Sequence, residues 1–198
     1  MKNAKIIGVD FDDVIVSTNE AMARWHNRVY GTSYQRSDIA SYDLTRIWGC
    51  SQEEMNRRIH EFFGSPEHAT TIPVEEAVES LKLLGDREIH IITARKKQFS
   101  VITLLLAEQH VPFLLDNFNF PNTNTSTKTN RNLRKSEVCL NLGVEVFIDD
   151  HLDYAIDVAS VGIPVLLFDT PWNQAEPESL PLGIERVYSW AEIVKKLT

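Results

Sequence analysis

The stretch Lys5-Ile6-Ile7-Gly8-Val9-Asp10-Phe11-Asp12-Asp13-Val14 constrains the chain more than any other. Its short apolar run, rich in Ile and Val, is the pattern of a strand buried on both faces of a parallel sheet, and it stops abruptly at carboxylates. In an open α/β sheet ligands sit in the crevice outside the carboxyl ends of the strands, so Asp10 and Asp12 are expected to face a site. Residues two apart on an extended segment point the same way, so both acids can reach one pocket. Two carboxylates that close repel, and one takes up a proton unless a cation or a lysine shares the site. The rest of the chain is expected to supply that cation.

The chain's 198 residues suffice for a full core, in one domain or a domain with an insertion. With 43% hydrophobic and 24% charged residues it is ordinary globular material and not a disordered binder. A formal charge of -8 argues against a nucleic-acid polymer as partner, although a single small phosphate ester needs only local positive charge. Cys50 and Cys139 stand far apart with no CxxC or His-Cys cluster, which argues against a zinc site or a disulfide framework. No apolar run has the length of a membrane span, and the amino terminus reaches Asp10 too soon for a signal peptide, so a cytoplasmic protein is expected.

After the first strand, Ser17-Thr18-Asn19-Glu20 has the form of a capping box and opens a helix to about Tyr30, with Met22, Trp25 and Val29 on one face and Gly31 as its stop. Ser51-Gln52-Glu53-Glu54 is a second capping box, before an apolar stripe of Met55, Ile59, Phe62 and Phe63 that ends at Gly64-Ser65-Pro66. Residues 16–72 are therefore expected to form a helical cap inserted after the first strand, with 1–15 and 73–198 as the core. Pro73 is expected to open the next helix, followed by a strand at Glu88–Thr93 and a helix over 98–109 with Val101, Leu104 and Leu105 inward. Residues 111–120 are expected to hold a third strand, weakened by Pro112 and Asn117, and 121–134 a polar loop in which Asn124-Thr125-Ser126 is a coincidental glycosylation sequon. Lys135 opens a helix closed by Gly143. Val144–Ile148 is a strand that again ends in acids, Asp149 and Asp150, and 154–161 is helical. Val165–Phe168 is another strand, 170–183 a Pro-rich loop, and Trp190–Leu197 a closing helix. Strands alternating with helices predict an α/β fold, a doubly wound parallel sheet.

The strand ends thus deliver Asp10 with Asp12, then Thr93, then Asp149 with Asp150, while a helix start delivers Lys135. Singly, each reads as a helix cap or a solvated charge. Jointly, four acids, a hydroxyl and a lysine at successive carboxyl ends of one sheet read as a site.

With these residues in place, the chain resembles the haloacid dehalogenase superfamily of phosphohydrolases, whose core has the same Rossmann-like plan. The superfamily's Asp-x-Asp motif matches Asp10-Phe11-Asp12-Asp13-Val14, its strand ending in Thr or Ser matches Ile91-Ile92-Thr93, its lysine matches Lys135, and its closing acidic pair matches Phe147-Ile148-Asp149-Asp150. Lys128, inside the polar loop, is a weaker third-motif candidate. The resemblance implies that Asp10 attacks phosphorus and forms an aspartyl-phosphate, and that Asp12 protonates the leaving oxygen and then activates water. It implies that Mg²⁺ is held by Asp10, the backbone carbonyl of Asp12 and Asp150, with Asp149 orienting the metal's waters. The choice between Asp149 and Asp150 as direct ligand stays open. Thr93 and Lys135 are implied to bind the phosphoryl group.

Within the superfamily the chain is most similar to the 5'(3')-deoxyribonucleotidases, on the stretch Phe62-Phe63-Gly64-Ser65-Pro66, on Ile72-Pro73, and on Trp172-Asn173 and Ser189-Trp190. That likeness implies a 5'-nucleotidase-like phosphatase acting on (deoxy)nucleoside monophosphates. Ala94 stands where those enzymes have Ser, so one hydroxyl on the phosphate is missing and Arg95 is the residue that could compensate. Thr18 stands where they place an aromatic on the nucleobase. Trp48 and Phe63, each beside a glycine of the cap, are the candidates for packing on a base. The alternative is a phosphatase of another small phosphate monoester, such as a sugar phosphate. A receiver-like phosphoacceptor switch also uses acids, Thr, Lys and Mg²⁺ on a parallel sheet, but it places its acidic pair first and has no such insertion. A scaffold of this fold used only for protein contacts has no reason to keep four mutually repelling acids.

Overall fold

A computed structural model describes residues 1–2, 4–121, 133–174 and 179–198. The first strand, β1 (Ile6–Val9), lies at the centre of a six-stranded sheet, because its side chains are apolar on both faces and nearly all buried. The others are β2 (Glu88–Ile92), β3 (Phe118–Asn119), β4 (Val146–Asp149), β5 (Val165–Phe168) and β6 (Ile184–Val187), in the order β3-β2-β1-β4-β5-β6 and all parallel. The chain winds outward from β1 through β2 and β3, then returns to β1's other edge and winds outward through β4 to β6. The two directions diverge between β1 and β4, and a crevice opens at such a switch point. Both of these strands run into acids.

Alternate strand residues serve two cores. Ile7, Val9, Ile91, Val146, Ile148 and Leu166 pack against α5 (Ala77–Leu83), α6 (Ser100–His110) and α9 (Trp190–Leu197). Phe147, Val165 and Leu167 pack against α7 (Lys135–Leu142) and α8 (Leu152–Ala159) on the opposite face. Gly8 allows that second layer to approach β1, since a Cβ built there would lie 2.7 Å from the Phe147 ring and 3.2 Å from Val144. The doubly wound parallel α/β sheet expected from the alternation of elements is the fold observed.

Between β1 and α5 lie α1 (Thr18–Tyr30), α2 (Leu44–Trp48), α3 (Gln52–Phe63) and α4 (Pro66–Ala69). Helices α1, α2 and α3 share an apolar cluster of Ala21, Met22, Trp25 and Phe62, with Tyr30, Trp48 and Phe63 packed against it. Ser51 caps α3 as expected, accepting from Glu54 N at 3.2 Å, and Gly31 ends α1 in the left-handed region. Ser17 makes no side-chain cap; the Asp13 carboxylate accepts from Asn19 N instead. The chain leaves and re-enters the sheet layer through one neck. There Val16 bridges Pro73, Ser17 N donates to Ile72 O at 2.9 Å, and Val74 N donates to Ile15 O at 2.8 Å.

That neck corrects one expectation: Pro73 does not start a helix, because its segment is paired to the outgoing chain, and α5 begins only after Glu76 at φ 61°. Residues 112–117 form a 3₁₀ helix where a strand is expected, leaving two strand residues in β3. A proline there has no N–H for a ladder, and the turn follows from it. Val29 is 43% exposed, and on α6 Val101 and Leu105 face solvent while Thr103, Leu106 and Ala107 are buried. A 3₁₀ turn at Lys97–Phe99, whose Phe99 is buried, leads directly into α6. The short edge strand β6 and the Asp43-capped helix α2 carry no periodicity strong enough to announce them in the sequence. Among the described residues no helix is long and apolar enough to cross a membrane.

Candidate active site

Asp10 follows the last residue of β1, Asp149 ends β4, and Asp150 follows it, so the switch point places three buried acids together. Lys135, at the first position of α7, reaches them from the side and donates from Nζ to Asp10 Oδ1 and to Asp149 Oδ2, both at 2.7 Å. It is only 4% exposed and lies over the rings of Tyr154 and Phe147.

One ammonium cannot balance this cluster. Burial pushes the Asp10 carboxyl up to about 7 against the pull of Lys135, and Asp149 and Asp12 push in the same direction as burial. Burial, then Asp149 and Asp10, raises Asp150 well above the usual carboxylate range. Burial alone would lower the Lys135 pKa, but Asp10 and Asp149 outweigh it and the pKa is raised. Asp10, Asp149 and Asp150 can each offer one oxygen such that the three atoms lie within 4.8 Å of one another. A buried, all-oxygen donor set with surplus negative charge fits a hard divalent cation such as Mg²⁺. The carboxylate of Asp12 is not part of that set.

Asp150 is held on several sides. Trp172 donates its indole N–H to Oδ2 at 2.6 Å, and Asn173 Nδ2 donates to the main-chain oxygen of Asp150 at 2.6 Å. The Tyr42 hydroxyl lies 2.6 Å from that main-chain oxygen and 3.3 Å from Oδ2, with its ring stacked on His151. Asp149 Oδ1 accepts from His151 N at 2.8 Å. Trp172 and Asn173 sit in an aperiodic, Pro-rich loop and Tyr42 in a short irregular stretch, so pattern reading has no signal for them beyond the likeness at Trp172-Asn173.

Asp12 lives in a different environment. Thr18 Oγ1 donates to its Oδ1, and Arg95 pairs with both carboxylate oxygens. Burial works to raise its pKa, but the Arg95 guanidinium and the Thr18 hydroxyl hold it below the usual range. Thr18 is thus buried and turned to Asp12, where an aromatic over a base is expected of the nucleotidases. Arg95, the residue expected to compensate for Ala94, is paired with the same acid. Thr93 is fully buried, and its Oγ1 accepts from Arg95 N at 3.2 Å.

A cleft of ≈ 410 Å³, lined by Ala94, Lys135, Arg134, Leu133 and Tyr154, opens onto Lys135. A larger one of ≈ 520 Å³ lies between α4 and α6, lined by Phe63, His68, Ile102 and Leu105, and it contains none of the acids. Phe63 stacks on Phe99 at 4.1 Å between centroids and covers one face of the Arg95 guanidinium at 5.0 Å. Trp48, half-buried, stacks on His26 at 4.9 Å and leans on Trp25, against the aromatic cluster shared by the helices. The closing turn at Gly49, φ 58°, ends α2 with that ring already packed inward. Lys128 and the sequon at Asn124 lie outside the described residues.

Comparison with known proteins follows the same lines. Residues 4–197 match the family described as 5' nucleotidase, deoxy (pyrimidine), cytosolic type C protein. YqfW of Bacillus subtilis, which carries a provisional nucleotidase name, is 27% identical over 194 residues, 96% of this chain and 91% of its own. A haloacid dehalogenase family hydrolase from Deinococcus radiodurans, solved with bound phosphate and sodium, superposes with a TM-score of 0.68 at 16% identity, covering 100% of this chain and 99% of its own. The haloacid dehalogenase-like protein SP0104 of Streptococcus pneumoniae gives 0.70 at 12% identity, with 99% of each chain covered.

Proposed function

Because this chain belongs to the family of 5' nucleotidase, deoxy (pyrimidine), cytosolic type C proteins and is a phosphatase of the haloacid dehalogenase type, we propose that it hydrolyses (deoxy)nucleoside monophosphates through an aspartyl-phosphate on Asp10. The observation that carries this reading is Lys135, whose Nζ lies 2.7 Å from both Asp10 and Asp149 while Asp150 completes the acid set around them. A buried nucleophile beside a buried cation is what a dianionic substrate requires.

Asp10, Asp149 and Asp150 would hold Mg²⁺, which, when bound, offsets the negative charge of nucleophile and phosphate together. Asp10 attacks phosphorus through the oxygen that Lys135 does not hold. A bond forms from that oxygen to phosphorus and the bond to the ester oxygen breaks; Asp12, which Arg95 and Thr18 keep ionised in the free site, takes up a proton as the phosphate dianion binds beside it and gives that proton to the departing oxygen. Asp12, now a carboxylate, takes a proton from water as the water oxygen attacks phosphorus, releasing inorganic phosphate and restoring Asp10. Thr93 and Lys135 orient the phosphoryl oxygens, and the cleft beside Ala94 and Tyr154 receives the leaving group. The partner is a small phosphorylated metabolite, and a cytoplasmic setting suits it.

A second reading has its own support. With Thr18 spent on Asp12 and Trp48 inside the insertion, neither position offers an aromatic to a base, which favours another small monoester such as a sugar phosphate. A panel of nucleoside monophosphates and sugar phosphates, assayed with Mg²⁺ and with excess chelator, separates the readings. Magnesium-dependent turnover that prefers a nucleotide is expected. Undiminished turnover in chelator, or phosphate trapped on a residue other than Asp10, would overturn the mechanism, and a preference for sugar phosphates would move the substrate to the second reading.

A further inference from the structure

Arg95 follows the second-motif Thr by two residues, where a guanidinium reads as a phosphate ligand. Its geometry assigns it elsewhere. Nε and Nη2 lie 2.9 and 2.7 Å from the two oxygens of Asp12. Nη2 also reaches Thr18 Oγ1 at 3.3 Å, and Nη1 donates to Thr103 Oγ1 and to His68 Nε2, both at 3.1 Å. An arginine has no lone pair to offer, so His68 Nε2 is the acceptor in that pair and its proton sits on Nδ1. The guanidinium carbon lies over the ring of Phe11 at 4.9 Å and over that of Phe63 at 5.0 Å. Every nitrogen is thus engaged and two aromatic rings pack on the guanidinium.

Exposure separates the two partners. The Arg95 side chain is 2% exposed and that of Asp12 is 28% exposed. Arg95 therefore stands behind Asp12, which presents the open side of its carboxylate to the crevice. A bidentate fork fixes a carboxylate's plane as well as its position. Three of the groups that fix the fork, Thr18 of α1, Phe63 of α3 and His68 of α4, belong to the helical insertion, while Thr103 and Phe11 belong to the sheet layer.

We propose that Arg95 is a positioning residue that aims the carboxylate of Asp12 at the reacting centre, and that the docked helical insertion sets this aim through His68 and Phe63. The inference rests on the role given to Asp12 above. Arg95 binds no phosphate, so its contribution is read only through Asp12, and losing His68 reproduces the loss in milder form.

The test uses the full chain loaded with Mg²⁺ and a double-mutant cycle. Arg95→Gln is expected to lower kcat by about 10²-fold with KM within about threefold, the pattern of an interaction that acts in the chemical step. It leaves the affinity for inorganic phosphate, measured by titration calorimetry, within about threefold, and Arg95→Lys recovers part of kcat because an ammonium holds one oxygen and not two. In an Asp12→Asn background, Arg95→Gln adds no further loss. His68→Phe, which keeps the volume and removes the acceptor, lowers kcat about 3- to 10-fold in the native background and not in Asp12→Asn, and it carries the test if the Arg95 variants do not fold. A tenfold or larger loss of phosphate affinity in Arg95→Gln, or losses that add to those of Asp12→Asn, would overturn the proposal alone. Native turnover by Asp12→Asn would instead overturn the role of Asp12, and this inference with it.

Discussion

The indole N–H of Trp172 points at Asp150 Oδ2 from 2.6 Å, across 22 residues of sequence. A neutral donor on one carboxylate oxygen orients the other, and losing such a support commonly weakens metal binding by about 10- to 100-fold. Trp172→Phe keeps the ring and removes the donor. Its Mg²⁺ affinity, measured by titration calorimetry, is expected to fall by about 10- to 100-fold. Unchanged affinity would show that Tyr42 and Asn173 suffice to hold Asp150.

Lys135 offers the second outcome. Lys135→Met leaves Asp10 and Asp149 buried without their only close ammonium among the described residues, and removing one partner of a buried pair costs about 3–5 kcal/mol. Chemical denaturation in chelator is expected to show that loss, and saturating Mg²⁺ is expected to shrink it, because a cation bound to the same acids replaces the missing charge. Equal losses with and without Mg²⁺ would place the cation elsewhere.

His26 carries a pH dependence within the helical insertion. Arg58 Nη1 donates to its Nε2 at 3.1 Å and Thr32 Oγ1 lies 2.8 Å from its Nδ1, so the ring is neutral with its proton on Nδ1. Burial, and then Arg58, pulls its pKa down to about 4. The unfolded chain therefore binds a proton that the folded chain refuses between about 6.5 and about 4. This contribution is complete above 6.5 and is lost as the pH falls toward 4. Tm measured against pH is expected to fall more steeply over that window in the native chain than in His26→Phe, and parallel curves would remove His26 from the acid response.

At Gly8 the test is steric. A Cβ 2.7 Å from Phe147 must displace a fully buried ring in the middle of the sheet. Gly8→Ala is expected to cost about 1–3 kcal/mol in urea unfolding while the fold survives, and a neutral result would show that Phe147 has a second place to go.

How far residues alone reveal such a molecule depends on the kind of interaction. The strands β1, β4 and β5 and their terminal acids are legible, because a buried run of branched residues that stops at carboxylates is a local pattern. The inward face of α6 is not legible, since Val101, Ile102, Leu104, Leu105, Leu106 and Ala107 are apolar nearly all round and periodicity cannot choose among them. For the same reason Trp48 and Phe63 look alike beside their glycines, yet one lies within the insertion and the other on Arg95. The groups that support the site are hidden differently: Tyr42 meets Asp150 across 108 residues, and Arg95 meets Asp12 across 83. No local pattern encodes a partner at that separation.

The neck at Val16 and Pro73 has a consequence for how such a protein can be rebuilt. The outgoing and returning chains are hydrogen-bonded neighbours there, so the two ends of the helical segment are held side by side by contacts that lie outside its helices. A segment of different length costs little extra closure entropy at such a point, since that cost grows only with the logarithm of its length. The sheet layer can therefore accept a transplanted or shortened segment at this junction without re-threading, as a socket accepts interchangeable heads. What would not travel with the segment is the fit to Arg95, so a chimaera carrying a foreign segment would have to supply its own counterparts of His68 and Phe63.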